Sequence, residues 1–380
     1  MLDKKPKIAW VSTWNRLCGI ADYSKALWPK ISSLLESQGH EALLVSLDEY
    51  STTSALRKKL VGSAPDLIHF QHEYGIFGGK NPPFYRFPSF LRKLKTELPK
   101  TALIATAHTV LPTNYRFPLK GKSVGIPFRA FANTFLLPGL SKTWSVRTWG
   151  GLDACIVHSK YQIQDVLSSG CSFVQEIPHF VPESVTKGTF PRQKGLPTIL
   201  VFGFFTPEKG QDLAIDALSL LQKKYRLILA GGLRRKKDQS YLKSCKQKIK
   251  DLGLSSQIEI TGYIDSQKLD GLFSQASLVL APFRETTGSG SLAQALAREC
   301  PVLTSDLPLN LEIAERTADA LSFFRSGDPK DCAIQIQNLL ENPERVRRLR
   351  EGARKYAVLY SPEKTAEKHL ELYRSVFPKN

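Results

Sequence analysis

Short apolar runs alternate with longer amphipathic stretches along this 380-residue chain, and no other feature limits its fold as much. A run of four to six apolar residues between turn formers reads as a buried strand; apolar residues recurring every three to four positions read as a helix covering it. Repeated from end to end, the pattern predicts β-α units around parallel sheets. In the first half the strands fall at 8–12, 42–46, 67–71, 102–106, 154–158 and 173–177. In the second half they fall at 198–202, 226–230, 258–261, 278–281, 302–305 and 320–323. Helical spacing fits 23–35, 211–221, 241–252, 292–297 and 346–359. Two doubly wound domains follow, each long enough to bury its own core. Residues 178–195 are rich in turn formers and lack periodicity, which places the linker there.

Charge narrows the partners rather than the fold. Lys and Arg number 53 against 35 Asp and Glu, a net +18, so nucleic acid, an anionic membrane or a phosphorylated substrate each fits. Apolar residues at 42% are too many for a disordered chain. No stretch approaches the roughly 20 apolar residues that cross a bilayer, and the charged start runs into a strand without a signal-like segment. The six cysteines stand singly, as reduced thiols do. A cytoplasmic protein is the expectation. Residues 111–150 break the rhythm with about forty residues between strands, mixing Tyr115, Phe117, Phe128, Trp144 and Trp149 with Arg116, Lys120, Lys122, Arg129 and Arg147. That mixture suits a membrane-interfacial or nucleic-acid surface, or a helical excursion whose aromatics are core.

Several strand ends carry polar and flexible residues beyond what a core requires. After the first strand, Gly19 precedes a helix and permits either a tight turn or a close approach of backbone N–H groups to a ligand. In open parallel sheets ligands bind outside the carboxyl ends of the strands, where His72, Glu73, Gly78 and Gly79 fall after the third strand and His108 after the fourth. A metal held by His69, His72 and His108 is disfavoured, because residues 69 and 72 point to opposite faces of a strand. In the second half, Phe204 and Lys209 lie between a strand and a helix start. A cation there opposes the helix dipole unless an anion compensates it. Arg234 and three further basic residues follow a Gly pair at the next strand end, as a solvated face or a phosphate contact. The segment 281–297 is the most informative. Arg284, Glu285, Gly288, Ser289, Gly290 and Ser291 lead from a strand into a helix whose free N–H groups can donate to a phosphate while Arg284 neutralises it. Glu285 is placed to bond sugar hydroxyls.

These pieces together resemble the retaining glycosyltransferases of family 4. The likeness is carried by 14–24, 69–79, 106–109, 153–159, 208–213, 260–263, 284–297, 301–306 and 360–368, spread over nearly the whole chain. It implies an α/β GT-B fold, two doubly wound Rossmann-like domains facing a central cleft. The N-terminal acceptor-side domain would span 1–185, the donor domain 195–360, and a last helix within 361–380 would return to the first domain. It implies catalytic roles for His108, Glu285 and Lys209. Donor contacts would come from Gly19, Phe204, Lys209, Arg234, Gly262, Tyr263, Arg284, Glu285, Gly288, Ser289, Gly290 and Ser291, with His72, Glu73, Gly78 and Gly79 on the acceptor side. No metal and no cofactor is implied. Two departures stand out: Phe204 replaces the family's usual arginine, and Ala293, beside Gln294, replaces the second glutamate of its E-x7-E motif.

The implied reaction transfers a sugar from a nucleoside-diphosphate donor to a saccharide or lipid-linked acceptor, in envelope glycolipid, lipopolysaccharide or polysaccharide assembly. The 111–150 segment would then rest on an anionic inner membrane face. Three alternatives remain: a protein of this fold that binds a nucleotide sugar without turnover, for which Phe204 and Ala293 speak; a basic nucleic-acid binder, which no recognised motif supports; and an epimerase or phosphorylase on the same fold, which differs by reaction only.

Overall fold

The structure is a computed structural model, and it describes residues 5–16, 18–77, 85–111, 134, 143, 145–183, 195–233, 236–285 and 289–377. The chain divides into two compact units, Met1–Pro178 with Pro362–Asn380, and His179–Ser361.

The first unit contains β1 (Lys7–Ser12), α1 (Gly19–Ser37), β2 (Glu41–Ser46), α2 (Thr53–Ser63), β3 (Leu67–His72), α3 (Phe87–Glu97), β4 (Ala102–Ala107), β5 (Ala154–Val157), α4 (Ile163–Leu167) and β6 (Val174–Glu176). Its sheet runs β2-β1-β3-β4-β5-β6, every neighbour parallel. Parallel strands lie under helices on both faces, so they must be apolar almost throughout. All six residues of β3 and of β4 are buried. The chain leaves β1 for β2 on one side and returns to β3 on the other, which makes β1/β3 the point where strand order reverses.

The second unit contains β7 (Thr198–Phe202), α5 (Gln211–Ser219), β8 (Arg226–Ala230), α6 (Gln239–Asp251), β9 (Ile258–Gly262), α7 (Leu269–Ser274), β10 (Leu278–Ala281), α8 (Gly290–Ala297), β11 (Val302–Ser305), α9 (Pro308–Arg316), β12 (Ser322–Phe324), α10 (Pro329–Leu340) and α11 (Pro343–Leu359). Its parallel sheet runs β12-β11-β10-β7-β8-β9 and reverses between β7 and β10. One core face holds Ile199, Val201, Leu213 and Leu280, the other Leu200, Val279, Leu292 and Phe273. The fold is the expected one, two doubly wound α/β units.

A final helix, α12 (Pro362–Val376), belongs to the first unit and packs on α1. Lys30 pairs with Glu363 at 2.6 Å, and the Tyr373 hydroxyl lies 2.6 Å from His69 Nδ1.

Two boundaries differ from the sequence reading. Val181 donates its N–H to the Tyr360 carbonyl at 2.8 Å and packs into the second core, so the division falls after Pro178 rather than at 185. The strand expected at 320–323 begins at Ser322, because a turn closed by Ala320 N–H on the Thr317 carbonyl, with Asp319 at φ 59°, occupies the preceding residues. Most of 111–150 and of the linker, residues 184–194, lies outside the described residues.

Candidate functional site

In the second unit the loops after β7 and β10 are neighbours because their strands are. Several bonds fasten them together. Arg284 N–H donates to the Glu208 carbonyl at 2.9 Å, and its guanidinium donates to the Pro207 carbonyl at 2.8 Å. Gly210 sits at φ 70°, where a Cβ would come within 1.9 Å of the Pro282 carbonyl oxygen, so only glycine admits this approach. Gly231, after β8, is bound by the same logic: a Cβ there would lie 1.9 Å from the Gly203 carbonyl oxygen.

Lys209 is the centre of this arrangement. Its ammonium stands 3.8 Å from the Phe283 ring centroid and donates to Ser291 Oγ at 3.3 Å, with Ser289 Oγ at 3.5 Å. Ser289 caps α8 by accepting the Leu292 N–H at 3.2 Å, and its hydroxyl meets that of Ser291 at 3.0 Å. Sequence placed Lys209 at the start of its own helix. It does lie there, with Gly210 alone between it and α5, but its ammonium reaches across to the start of α8. An ammonium beside a helix N-terminus puts two positive ends together, which favours an anion between them. The ring face of Phe283 steadies the cation.

Arg284 requires a correction. It is not turned to a phosphate but engaged bidentately by Asp212, at 2.8 and 2.9 Å. Tyr241 donates its hydroxyl to the same carboxylate at 2.6 Å. Burial pushes the Asp212 carboxyl up, but the bonds from Arg284 and Tyr241 outweigh it and hold the group below its ordinary range. Sequence reasoning missed Asp212 because its partner lies 72 residues away. Phe204 is half-buried, and its carbonyl accepts from Gln211 Nε2 at 3.0 Å. Gly262 ends β9, Tyr263 beyond it is 61% exposed, and Glu285 is exposed on the β10 loop. Gly290 is the first residue of α8. Ala293 is buried, and Gln294 Oε1 accepts from Arg298 at 2.6 Å. Arg234 and Gly288 lie outside the described residues.

In the first unit, Asp48 holds the loop after β1. It accepts the N–H groups of Trp14 and Asn15 at 2.7 and 2.8 Å and pairs with Arg16 at 2.6 Å. Burial raises the Asp48 carboxyl, and these three partners together pull it below its usual range. Gly19 opens α1 behind Cys18, whose side chain makes no capping bond. No atom crowds the place of a Cβ at Gly19, so packing does not dictate glycine there.

His108 follows β4 directly and is partly exposed. Its Nε2 lies 2.9 Å from Gln71 Oε1, its ring meets Tyr23 edge-on at 4.9 Å, and His158 stands at 5.3 Å. Thr109 donates its hydroxyl to Glu73, which is half-buried after β3.

His72 is the second correction. Expected on the acceptor side, it is fully buried among Phe77, Phe87 and Trp149, with Nε2 2.7 Å from the Tyr85 hydroxyl. Burial lowers its pKa to about 3, so it is a neutral core group. The last side chain of a strand still points at one face of the sheet, and here that face is packed. His69 is buried on the other face, against Trp10 and Tyr373. Gly78 and Gly79 lie outside the described residues. Among the described residues, no three His, Cys, Asp or Glu side chains are grouped to hold a metal ion, and no helix is long and apolar enough to cross a membrane.

Residues 186–356 match the family model of glycosyl transferases group 1. Mannosylfructose-phosphate synthase of Agrobacterium fabrum is 28% identical over 112 residues, which are 28% of this chain and a quarter of that protein. Sucrose-phosphate synthase from Thermosynechococcus elongatus superposes with a TM-score of 0.74 at 15% identity, covering 98% of this chain and 99% of that one. Anabaena HepE, crystallised with UDP and glucose, superposes with a TM-score of 0.71 at 16% identity, covering 98% and 100%.

Proposed function

We propose, from the premise that this chain has the GT-B fold and that its residues 186–356 belong to the group 1 glycosyl transferases, that it moves a sugar from a nucleoside-diphosphate donor to an acceptor hydroxyl with retention at the anomeric carbon. The observation that carries this reading is the Lys209 ammonium held over Phe283 and against Ser289 and Ser291 where strand order reverses between β7 and β10. A ligand in such a sheet binds at that reversal, and a diphosphate supplies the anion that the ammonium and the α8 N-terminus favour.

On this reading the donor diphosphate accepts bonds from Lys209 and from the α8 backbone N–H groups. Negative charge gathers on the leaving phosphate as the glycosidic bond breaks, and a fixed ammonium and helix terminus stabilise it without reorganising. Glu285, free of the core, is positioned for sugar hydroxyls. The Arg284–Asp212 pair positions the two loops rather than the phosphate. His108, at the carboxyl end of β4, is assigned the role toward the transferred sugar that the family resemblance implies. HepE has been crystallised with UDP-glucose, which makes uridine diphosphate sugars the first donors to try. The acceptor is a saccharide or a lipid-linked saccharide of the cell envelope, the reaction is metal-independent, and the +18 charge holds the protein peripherally on an anionic membrane face.

The test is incubation with UDP-, GDP-, ADP- and TDP-sugars and a saccharide acceptor, with free nucleotide measured and the product anomer read by proton NMR. Retained configuration supports the reading; inversion contradicts its stereochemistry. A second reading, a nucleotide-sugar binding protein without turnover, is favoured by buried Ala293 and by Gln294 being engaged with Arg298. Binding of a nucleotide with no release from any donor would select it.

A further inference from the structure

β3 lies inside its sheet between β1 and β4, yet it carries two polar side chains, His69 and Gln71, on one buried face. Buried polar groups are costly unless each finds a partner. These two belong to a hydrogen-bonded chain from the last helix to the carboxyl end of β4. The Tyr373 hydroxyl lies 2.6 Å from His69 Nδ1. His69 Nε2 has Thr106 Oγ1 at 2.8 Å and Gln71 Nε2 at 3.3 Å. Gln71 Oε1 lies 2.9 Å from His108 Nε2. His69, Gln71, Thr106 and Tyr373 are all buried, and His108 alone is partly exposed.

The proton positions follow from the chemistry of the links. An amide nitrogen only donates, so His69 Nε2 accepts from Gln71. Burial holds the His69 ring neutral, its pKa well below 6.5, so its one proton sits on Nδ1 and is donated to Tyr373. An amide oxygen only accepts, so His108 Nε2 carries a proton and donates it. In the neutral His108 ring the lone pair is then on Nδ1.

We propose that Gln71 is a positioning residue for His108: anchored through His69 to Tyr373, it fixes the ring orientation and the Nε2–H tautomer, leaving Nδ1 as the acceptor nitrogen. The inference rests on the role toward the transferred sugar that the proposed function assigns to His108. It adds that the ring acts there as an acceptor for a hydroxyl rather than as a donor, and that a residue on α12 helps to set this. A polar ladder filling space would need no defined polarity; in this one every link donates in one direction, from His108 at the exposed end through Gln71 and His69 to Tyr373 at the buried end.

The experiment is nitrogen-15 NMR of the full-length protein labelled at its seven histidines, at pH 7.5 and without substrate. The His108 signals are identified by their loss in His108→Gln. A protonated Nε2 and an unprotonated Nδ1 are expected in wild type. A proton on Nδ1 of the neutral ring overturns the proposal without need of any variant. Gln71→Met should give a mixture of the two tautomers and lower kcat on a nucleoside-diphosphate sugar on the order of tenfold or more, with the donor KM much less affected. Gln71→Glu, which keeps an acceptor oxygen, should restore the Nε2–H form. An unchanged His108 tautomer in folded Gln71→Met also overturns it. Absence of turnover in wild type, with the Nε2 proton in place, would count against the transferase reading and not against the hold of Gln71 on the ring.

Discussion

Acidification should destabilise the first unit well before carboxylate chemistry begins. His72 and His369 are fully buried, and burial lowers their pKa values to about 3 and about 4. His69, also buried and facing His369, is lowered in the same direction. The unfolded chain takes up these protons near pH 6.5, while the folded chain refuses them. Stability is therefore full above about pH 6.5 and declines as pH falls toward 4. At pH 5 each group with a folded pKa of 4 or below costs about 2 kcal/mol, so His72 and His369 together remove about 4 kcal/mol. Domains are stable by only about 5–15 kcal/mol in total, so the loss is large. Asp22 and Asp165, whose carboxyls burial raises, act in the opposite sense, but only from the carboxylate range downward. All five tryptophans, residues 10, 14, 28, 144 and 149, lie in the first unit, so urea unfolding followed by tryptophan fluorescence reports this unit alone. Between pH 7.5 and 5.0 wild type should lose about 4 kcal/mol or more, and His369→Phe about 2 kcal/mol less than wild type. A wild-type stability flat to within about 1 kcal/mol, or an unchanged pH slope in the variant, would refute the reasoning.

Three further outcomes concern the second unit. Gly210→Ala combines a left-handed backbone with a Cβ driven against the Pro282 carbonyl; it should cost about 2 kcal/mol or more in thermal unfolding and raise the donor KM. Asp212→Ala, which releases a partly exposed Arg284, should change stability by no more than about 1 kcal/mol yet weaken nucleotide binding measurably by calorimetry, because the loop pair loses its fastening. Glu285→Ala, at an exposed position, should leave the unfolding midpoint within about 0.5 kcal/mol of wild type while donor turnover falls on the order of a hundredfold.

Much of this architecture was readable from local pattern. The twelve strands were legible because buried parallel strands are short apolar runs bounded by turns, as in Thr198–Phe202. Helices such as Thr53–Ser63 escaped because only Leu56 and Leu60 are buried, too few to mark a period. The Lys209 and Ser289–Ser291 elements were visible because a strand, a turn and a helix start lie close together in sequence. Which residue an ammonium or guanidinium reaches was not: the Lys209–Ser291 and Arg284–Asp212 bonds span 82 and 72 residues. His72 looked like a site residue because strand-end position says nothing about whether the face it points to is packed. The Tyr373–His69 link joins residues 304 apart, beyond the reach of any motif.

Binding of a nucleoside diphosphate at Lys209 of the second unit is tested most directly by a thermal-shift comparison of UDP, GDP, ADP and TDP on wild type and Lys209→Ala. At about 100 times its dissociation constant, one nucleotide should stabilise wild type by about 2.7 kcal/mol and Lys209→Ala far less. Equal stabilisation of both proteins, or no shift from any of the four, would contradict it.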